Sequence, residues 1–205
     1  MEITYKFENN LYVNLTNKCA SACTFCIKNK WGWDFHGHKL QLKSEPTAKE
    51  VIKRIKDPRK YKQIVFCGYG EPLLRVDVLL EIAKYVKDNG GKVRVNTSGL
   101  ANLYHKKNII PMLKNLVDSI SISVNSVNSK DYLKIHRPIF GIDSYRGVLA
   151  FARACKKTIK DTTITFIDFP GSDHNKFKTI AKRIGVKFRI RPYLDESKND
   201  WQVKN

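Results

Sequence analysis

Apolar positions along this chain switch between a period of two and a period near four, and the switches recur at regular intervals. Leu11-Tyr12-Val13-Asn14-Leu15 predicts a short strand, followed by a polar, aromatic stretch reaching about Pro46. Over 47–56 the spacing predicts a helix. Thr47 is its N-cap, and Glu50 three residues on completes a capping box. Residues 63–67 are apolar and β-branched and predict a buried strand that ends in Gly68-Tyr69-Gly70. Over 72–89, Leu73, Val76, Leu79, Leu80, Ala83 and Val86 fall at helical spacing, and Gly90-Gly91 closes the helix.

The alternation continues with a strand over 92–96, a short helix over 109–116 and a strand over 119–124. A helix over 143–157, a strand over 162–169, a helix over 173–184 and a last strand over 186–190 complete it. Strands alternating with helices imply βαβ units on a parallel sheet. Right-handed crossovers then wind about six strands into an open or partial barrel. A full eightfold barrel typically takes about 250 residues, so a chain of 205 is short by two units. The expectation is an α/β fold: a partial (β/α)6 TIM-like barrel as one core domain over 1–194, with a short polar C-terminal tail over 195–205. The sequence has no internal repeats and no low-complexity segments.

Composition changes the picture only at the edges. Hydrophobic residues make up 42% and aromatics 11%, which supports a buried core and excludes a disordered, collagen-like or coiled-coil chain. No apolar run approaches the roughly 18 residues of a membrane span. The start, Met1-Glu2-Ile3-Thr4-Tyr5-Lys6, lacks the hydrophobic region of a signal peptide. A soluble, cytoplasmic protein with no membrane association is expected. The charge is less ordinary: 38 Lys+Arg against 19 Asp+Glu gives +19. So large an excess attracts anionic partners, nucleic acid first among them. A lysine-rich proteome reads equally well, because the charge is spread along the chain and forms no basic tail.

Of five cysteines, Cys19, Cys23 and Cys26 sit within eight residues, directly after the first strand. Such a cluster in a cytoplasmic protein points to metal before disulfide. Three thiolates on a short loop can wrap one face of a [4Fe–4S] cube and leave its fourth iron open for another ligand. The alternative is zinc held by the same cysteines with His36 or His38. Cys67 reads as a small hydrophobe of its strand, and Cys155 as a structural residue of a helix. Trp31-Gly32-Trp33-Asp34-Phe35-His36-Gly37-His38 reads either as a hydrophobic lid or as a platform for a flat substrate.

In a parallel α/β sheet, sites gather at the carboxyl ends of the strands, and the unusual residues here all fall there. Gly68 and Gly70 permit positive φ and close backbone approach. Glu71 adds a carboxylate suited to an ammonium group, or to the start of a helix. Asn96-Thr97 and Ser123-Val124-Asn125 end two further strands. Taken alone, such residues are caps or turn formers.

Cys-x₃-Cys-x₂-Cys with aromatic Phe25 before its last cysteine resembles the signature of the radical S-adenosylmethionine (SAM) superfamily. Cys67-Gly68-Tyr69-Gly70-Glu71-Pro72, with Tyr69 inserted, is similar to that superfamily's "GGE" motif. Together with Tyr12-Val13-Asn14-Leu15-Thr16-Asn17, Asn96-Thr97-Ser98-Gly99-Leu100-Ala101-Asn102 and Phe169-Pro170-Gly171, these runs resemble the TatD-linked radical SAM proteins.

The resemblance implies a [4Fe–4S] cluster on Cys19, Cys23 and Cys26, and SAM as cofactor. It assigns Phe25, Gly68, Tyr69, Gly70 and Glu71 to cofactor binding, with Glu71 facing the methionine ammonium. Asn96, Thr97, Ser123 and Asn125 then face the sugar and methionine portions, and Arg137 faces the carboxylate. It further implies reductive SAM cleavage to a 5′-deoxyadenosyl radical and hydrogen-atom abstraction from a substrate. An electron donor such as a flavodoxin or ferredoxin and a functional link to a TatD-type nuclease follow from it. Nucleic acid, a nucleotide or another anionic compound is the expected substrate. An activase of a partner protein, or a non-catalytic iron–sulfur or zinc module that binds nucleic acid, are the alternatives.

Overall fold

A computed structural model describes residues 2–193 of the chain. The tail expected over 195–205, and the domain end expected at 194, lie outside the described residues.

The strands are β1 (Thr4–Phe7), β2 (Asn10–Val13), β3 (Asp34–Phe35), β4 (His38–Lys39), β5 (Ile64–Phe66), β6 (Val93–Thr97), β7 (Ser119–Ser123), β8 (Asp161–Asp168) and β9 (Lys187–Pro192). The α-helices are α1 (Ile27–Lys30), α2 (Ala48–Ile55), α3 (Val76–Asp88), α4 (Ala101–Tyr104), α5 (Ile110–Leu113), α6 (Ser129–His136), α7 (Asp143–Thr158) and α8 (His174–Ile184). One sheet runs β1-β2-β5-β6-β7-β8-β9. Strand β1 is antiparallel to β2, and every later pair is parallel. Each crossover thus steps to the next strand, which gives the mostly parallel α/β architecture the alternation predicts.

The alternation of side chains along each strand decides what lies on each face. Leu11 and Val13, Ile64 and Phe66, Val93 and Val95, Ile120 and Ile122, and Ile164 and Phe166 share one core with the buried faces of the helices. Helix α2 contributes Ala48, Val51 and Ile55, and α7 contributes Val148, Phe151, Ala152 and Cys155, both at helical spacing. Phe166 stacks on Phe177 with ring centroids 4.1 Å apart, which seats α8 on β8. Burying one such large apolar side chain stabilises the fold by roughly 1.5–3 kcal/mol. The opposite, inner face is different. It carries Tyr12, Arg94, Asn96, Ser121, Ser123 and Arg191 at the alternate positions. Parallel sheets are usually apolar on both faces, so a polar inner face marks a space built for a polar occupant.

Several elements differ from expectation. The edge strand β1, the hairpin β3–β4 and the helices α1, α4 and α6 arise from segments too short to show a period. Helix α6 is set by local chemistry, since the Asn128 side chain accepts the N–H of Asp131 at 2.9 Å. Residues 72–75 form a tighter 3₁₀ turn, and the α-helix begins only at Val76, because the Glu71 side chain caps Leu73. The helix expected over 109–116 is reduced to a single turn, α5. The capping box at Thr47 and Glu50 is present on both sides.

Candidate active site

The loop bearing Cys19, Cys23 and Cys26 joins β2 to α1, and the three residues are half-buried with free thiols. Two segments hold it. On one side, the last turn of α6 and the residues after it supply backbone partners: Thr24 N–H donates to Ile135 O at 2.9 Å, Ile139 N–H to Ala20 O at 3.0 Å, and Ala22 N–H to Arg137 O at 3.3 Å. Arg137 caps α6 in the left-handed conformation, with φ 45 and ψ 56, and its side chain is exposed. What Arg137 brings to the loop is its carbonyl. On the other side, Thr16 Oγ1 donates to Glu45 Oε1 at 2.6 Å and accepts the Lys18 N–H at 2.9 Å. Arg75 braces the same corner by donating to the carbonyls of Leu15 and Pro46.

Cys19 and Cys23 share one electrostatic environment. Burial pushes the Cys23 thiol up to about 12, with Cys19 and Cys26 adding to the effect. Burial pushes Cys19 up to about 11, and the Glu71 carboxylate adds to it. Thiols so crowded ionise only against a cationic centre, and iron in a cluster is one. Among the described residues, no three His, Cys, Asp or Glu side chains gather around a point where one metal ion could sit. His38 is held by Glu2 at 2.8 Å, and His36 stacks on Phe7 with centroids 5.4 Å apart. A zinc site needs four ligands at about 2.0–2.3 Å from one ion.

His136 closes the loop from beneath. Its Nδ1 lies 3.4 Å from Cys23 Sγ, and its Nε2 lies 3.4 Å from Asn125 Nδ2. Burial drops its pKa to about 4, so the ring is neutral at physiological pH. Tyr132 stacks on it at 4.2 Å, and Phe25 meets it edge-on at 5.1 Å. Phe25 also packs edge-on against Phe169, so its ring serves as a post beside the loop.

At the end of β5, Gly68 and Gly70 are required for a reason other than the one expected. Neither has a positive φ. A Cβ on Gly68 would collide with Asn14 Oδ1, and one on Gly70 with the carbonyl oxygens of Thr16 and Lys18. The glycines let the β5 turn lie directly against the start of the cysteine loop, where Glu71 N–H donates to Lys18 O at 2.8 Å. The Tyr69 ring is buried against Trp33, and its hydroxyl donates to Asp34 O at 2.7 Å, which anchors the β3–β4 hairpin. That hairpin packs with Tyr5, Phe7, Tyr12 and Leu40 as an apolar cover beside β1 and β2.

Glu71 is 3% exposed and accepts three hydrogen bonds: Leu73 N–H at 3.0 Å, Thr97 Oγ1 at 2.8 Å and Ser98 N–H at 2.6 Å. Burial raises its pKa, against the pull of those donors. A carboxylate offers about four acceptor positions, so one remains, on Oε2, for a further donor. Thr97 therefore faces Glu71 and the core, whereas Asn96 faces inward with its Oδ1 buried and unpartnered. Asn14 Oδ1 is also buried without a partner. Orphaned acceptors at the ends of β2 and β6 fit a cofactor that carries an ammonium and sugar hydroxyls. Ser123 ends β7, and Asn125 lies two residues beyond it. Asn125, left-handed at φ 52, accepts Ile167 N–H at 3.1 Å.

Four residues here were not expected. His136 is the neighbour of Arg137 that turns inward, a choice fixed only by the left-handed cap. Asn14, Arg94 and Arg191 lie in predicted strands or one residue beyond, and only the parity of the strands assigns them to the inner face. Cys67 likewise lies outside the apolar core, one residue beyond β5 at an inward-facing position. Cys155 is buried in the core, as its helix neighbours imply.

The radical SAM superfamily model matches residues 13–184. A dual-specificity RNA methyltransferase RlmN from Buchnera aphidicola is 23% identical over 85% of this chain and 51% of its own length. A GTP 3′,8-cyclase from Aquifex aeolicus is 25% identical over 93% of this chain and 58% of its own. The chain thus spans about half the length of these curated relatives. Among solved structures, Streptococcus suis SuiB bound to S-adenosylmethionine superposes with a TM-score of 0.65 at 14% identity. That likeness covers 94% of this chain and 42% of SuiB, and it concerns the fold.

Proposed function

The chain belongs to the radical SAM superfamily, whose members are enzymes that use a [4Fe–4S] cluster and SAM; on that premise we propose that Cys19, Cys23 and Cys26 hold the cluster and that the ends of β5, β6 and β7 hold SAM. When bound, these groups supply one-electron cleavage of a carbon–sulfur bond and hydrogen-atom abstraction from a substrate. The chain's own residues do the rest. Glu71 fixes the glycine turn of β5 against β6, leaving the orphaned acceptors of Asn96 and Asn14 beside the cysteine loop. Phe25 and His136 hold the loop's inner side. The β3–β4 hairpin excludes water from the adjoining part of the inner face. The single observation that carries this reading is the meeting of three free thiols with the Glu71-anchored turn at one end of the sheet.

In this reading residues 1–194 act as one core domain. The substrate is a nucleotide or nucleic acid. The net charge of +19 supports that class, as do relatives named for an RNA and for GTP. The resemblance of the Cys67–Pro72, Asn96–Asn102 and Phe169–Gly171 runs to TatD-linked proteins supports a functional link to a TatD-type nuclease. A flavodoxin or ferredoxin supplies the electron. A cytoplasmic location accords with three free thiols, and no helix among the described residues is long and apolar enough to cross a membrane.

The test is SAM cleavage by anaerobically reconstituted, dithionite-reduced protein, followed as 5′-deoxyadenosine. Slow formation alone and faster formation with nucleotides or total tRNA is the expected result. Absence of 5′-deoxyadenosine from a protein carrying a full cluster refutes the catalytic reading. Stimulation only by acidic metabolites that lack a nucleoside refutes the substrate class.

A further inference from the structure

The inner face of the sheet carries two arginines that pair with no carboxylate among the described residues. Arg94 on β6 donates from Nη2 to Tyr12 Oη at 3.0 Å and lies over the Tyr12 ring, while its Nε is buried without an acceptor. Arg191 near the end of β9 reaches Ser123 Oγ and Asn125 Oδ1 from Nη2, each at 3.4 Å, and its Nε is likewise buried without an acceptor. Neither forms an ion pair among the described residues, in contrast to Arg59 and Arg75, which do. Strand parity puts both on the inner face, Arg94 on β6 against Tyr12 and Arg191 on β9, three strands away, against Ser123 and Asn125. Arg189, on the same face of β9, adds a third positive charge that disfavours the charged form of Arg191.

We propose that Arg94 and Arg191 form a recognition site for the anionic end, phosphate or carboxylate, of a small substrate that enters the barrel. An arginine kept for packing alone is normally paired with a carboxylate, because an enclosed, uncompensated charge is costly. Two such charges facing one space, each with a free Nε–H, supply the forked donors that match an oxyanion. Depth selects the kind of ligand. Arg94 precedes Asn96 by two residues and so lies about 6–7 Å further down the strand than that strand-end residue. A phosphate within a polymer crosses the mouth of a barrel, whereas a terminal phosphate or carboxylate can be inserted as far as Arg94. This inference rests on the catalytic reading above and narrows its substrate to a molecule with a free anionic end.

The experiment is isothermal titration of the reconstituted holoenzyme with GMP, guanosine, pyrophosphate and succinate, for wild type, Arg94→Gln, Arg191→Gln and Arg191→Lys. Iron, sulfide and SAM affinity are measured on the same samples. GMP or succinate should bind, guanosine should not, and each Gln variant should weaken the anion at least tenfold with SAM affinity changed less than threefold in Arg94→Gln. Arg191→Lys should recover part of the loss, because it restores the charge and not the fork. GMP and pyrophosphate binding identify a phosphate end; succinate alone identifies a carboxylate end. Unchanged anion affinity in both Gln variants overturns the proposal, as does a wild type that binds no probe at millimolar concentration. SAM affinity falling in step with anion affinity in both variants also overturns it, by assigning the arginines to the cofactor. Should Arg94→Gln not fold, Arg191→Gln on the edge strand decides. Failure of the wild type to assemble a cluster, scored as iron and sulfide on the same samples, refutes the catalytic reading and is distinguished in this way from failure of anion binding by a fully loaded enzyme.

Discussion

Glu71 Oε2 accepts the backbone N–H of Ser98 at 2.6 Å, tying the turn after β5 to the end of β6. With Oε1 holding Leu73 N–H and Thr97 Oγ1, one carboxylate sets the spacing of two strand ends that flank the cysteine loop. Replacing it by alanine strands three donors, two of them backbone, and should cost roughly 2–4 kcal/mol of stability. Glu71→Gln keeps an acceptor at Oε1 and should cost about half as much. Both variants should retain iron and sulfide, and Glu71→Ala should bind SAM at least tenfold more weakly. Equal SAM affinity in Glu71→Ala and wild type would show that this turn does not hold the cofactor.

How much of this was legible depends on the range of the interaction concerned. The Thr47–Glu50 box is contained within four residues, and it can be read directly from them. The α/β alternation is equally local, and so is the grouping of the cysteines. Gly68 and Gly70 were legible as necessary glycines, but not for the right reason, because the groups they would strike belong to Asn14, Thr16 and Lys18, some fifty residues away. The inward turn of His136 in place of Arg137 depends on one left-handed residue at the end of an eight-residue helix. Arg94 and Arg191 look like ordinary strand arginines until parity and register bring them to the same face.

The thiols make a compositional prediction. Anaerobically reconstituted wild type should hold about four iron and four sulfide, and Cys19→Ala, Cys23→Ala and Cys26→Ala should each lose them. Cys155→Ala should keep the full cluster while losing about 1 kcal/mol of stability, because it only trims a buried side chain. Stoichiometric zinc without sulfide in anaerobically purified protein would contradict the cluster assignment.

Glu45 gives the corner before the cysteine loop a pH dependence. The hydrogen bond from Thr16 holds its pKa below the ordinary 4.5, burial opposes this, and Lys18 and Arg75 reinforce the lowering. A carboxyl depressed in the folded state stabilises that state above its unfolded value, and the gain is lost as pH falls through the folded one. Glu45 is largely exposed, so solvent screening limits the gain to about 1 kcal/mol or less. Urea midpoints of wild type and Glu45→Gln should therefore differ at pH 7, and the gap should close as pH falls below the ordinary 4.5 and through the lowered folded value. In a Thr16→Val background the difference at pH 7 should shrink. A constant gap across pH would rule out the carboxylate as its source.

The excess of +19 and the barrel arginines should contribute to anion affinity in separable ways. Charge spread over the surface acts on a polymer through counterion release. Each phosphate contact then adds close to one unit to the slope of log affinity against log salt on duplex DNA, and about 0.7 on single strands. About five contacts would lower affinity by a few orders of magnitude across a tenfold rise in salt. Arg94 and Arg191 face inward, so Arg94→Gln should leave tRNA affinity and its salt slope unchanged while abolishing GMP binding. If the lysines merely reflect a lysine-rich proteome, tRNA binding will be weak, its slope shallow and its effect on 5′-deoxyadenosine formation nil, while GMP still stimulates. If tRNA binds steeply and stimulates SAM cleavage, and Arg94→Gln removes the stimulation without the binding, the polymer docks on the surface and presents an anionic end to the barrel. Loss of tRNA binding itself in Arg94→Gln would show instead that polymer and small anion compete for the same interior charges.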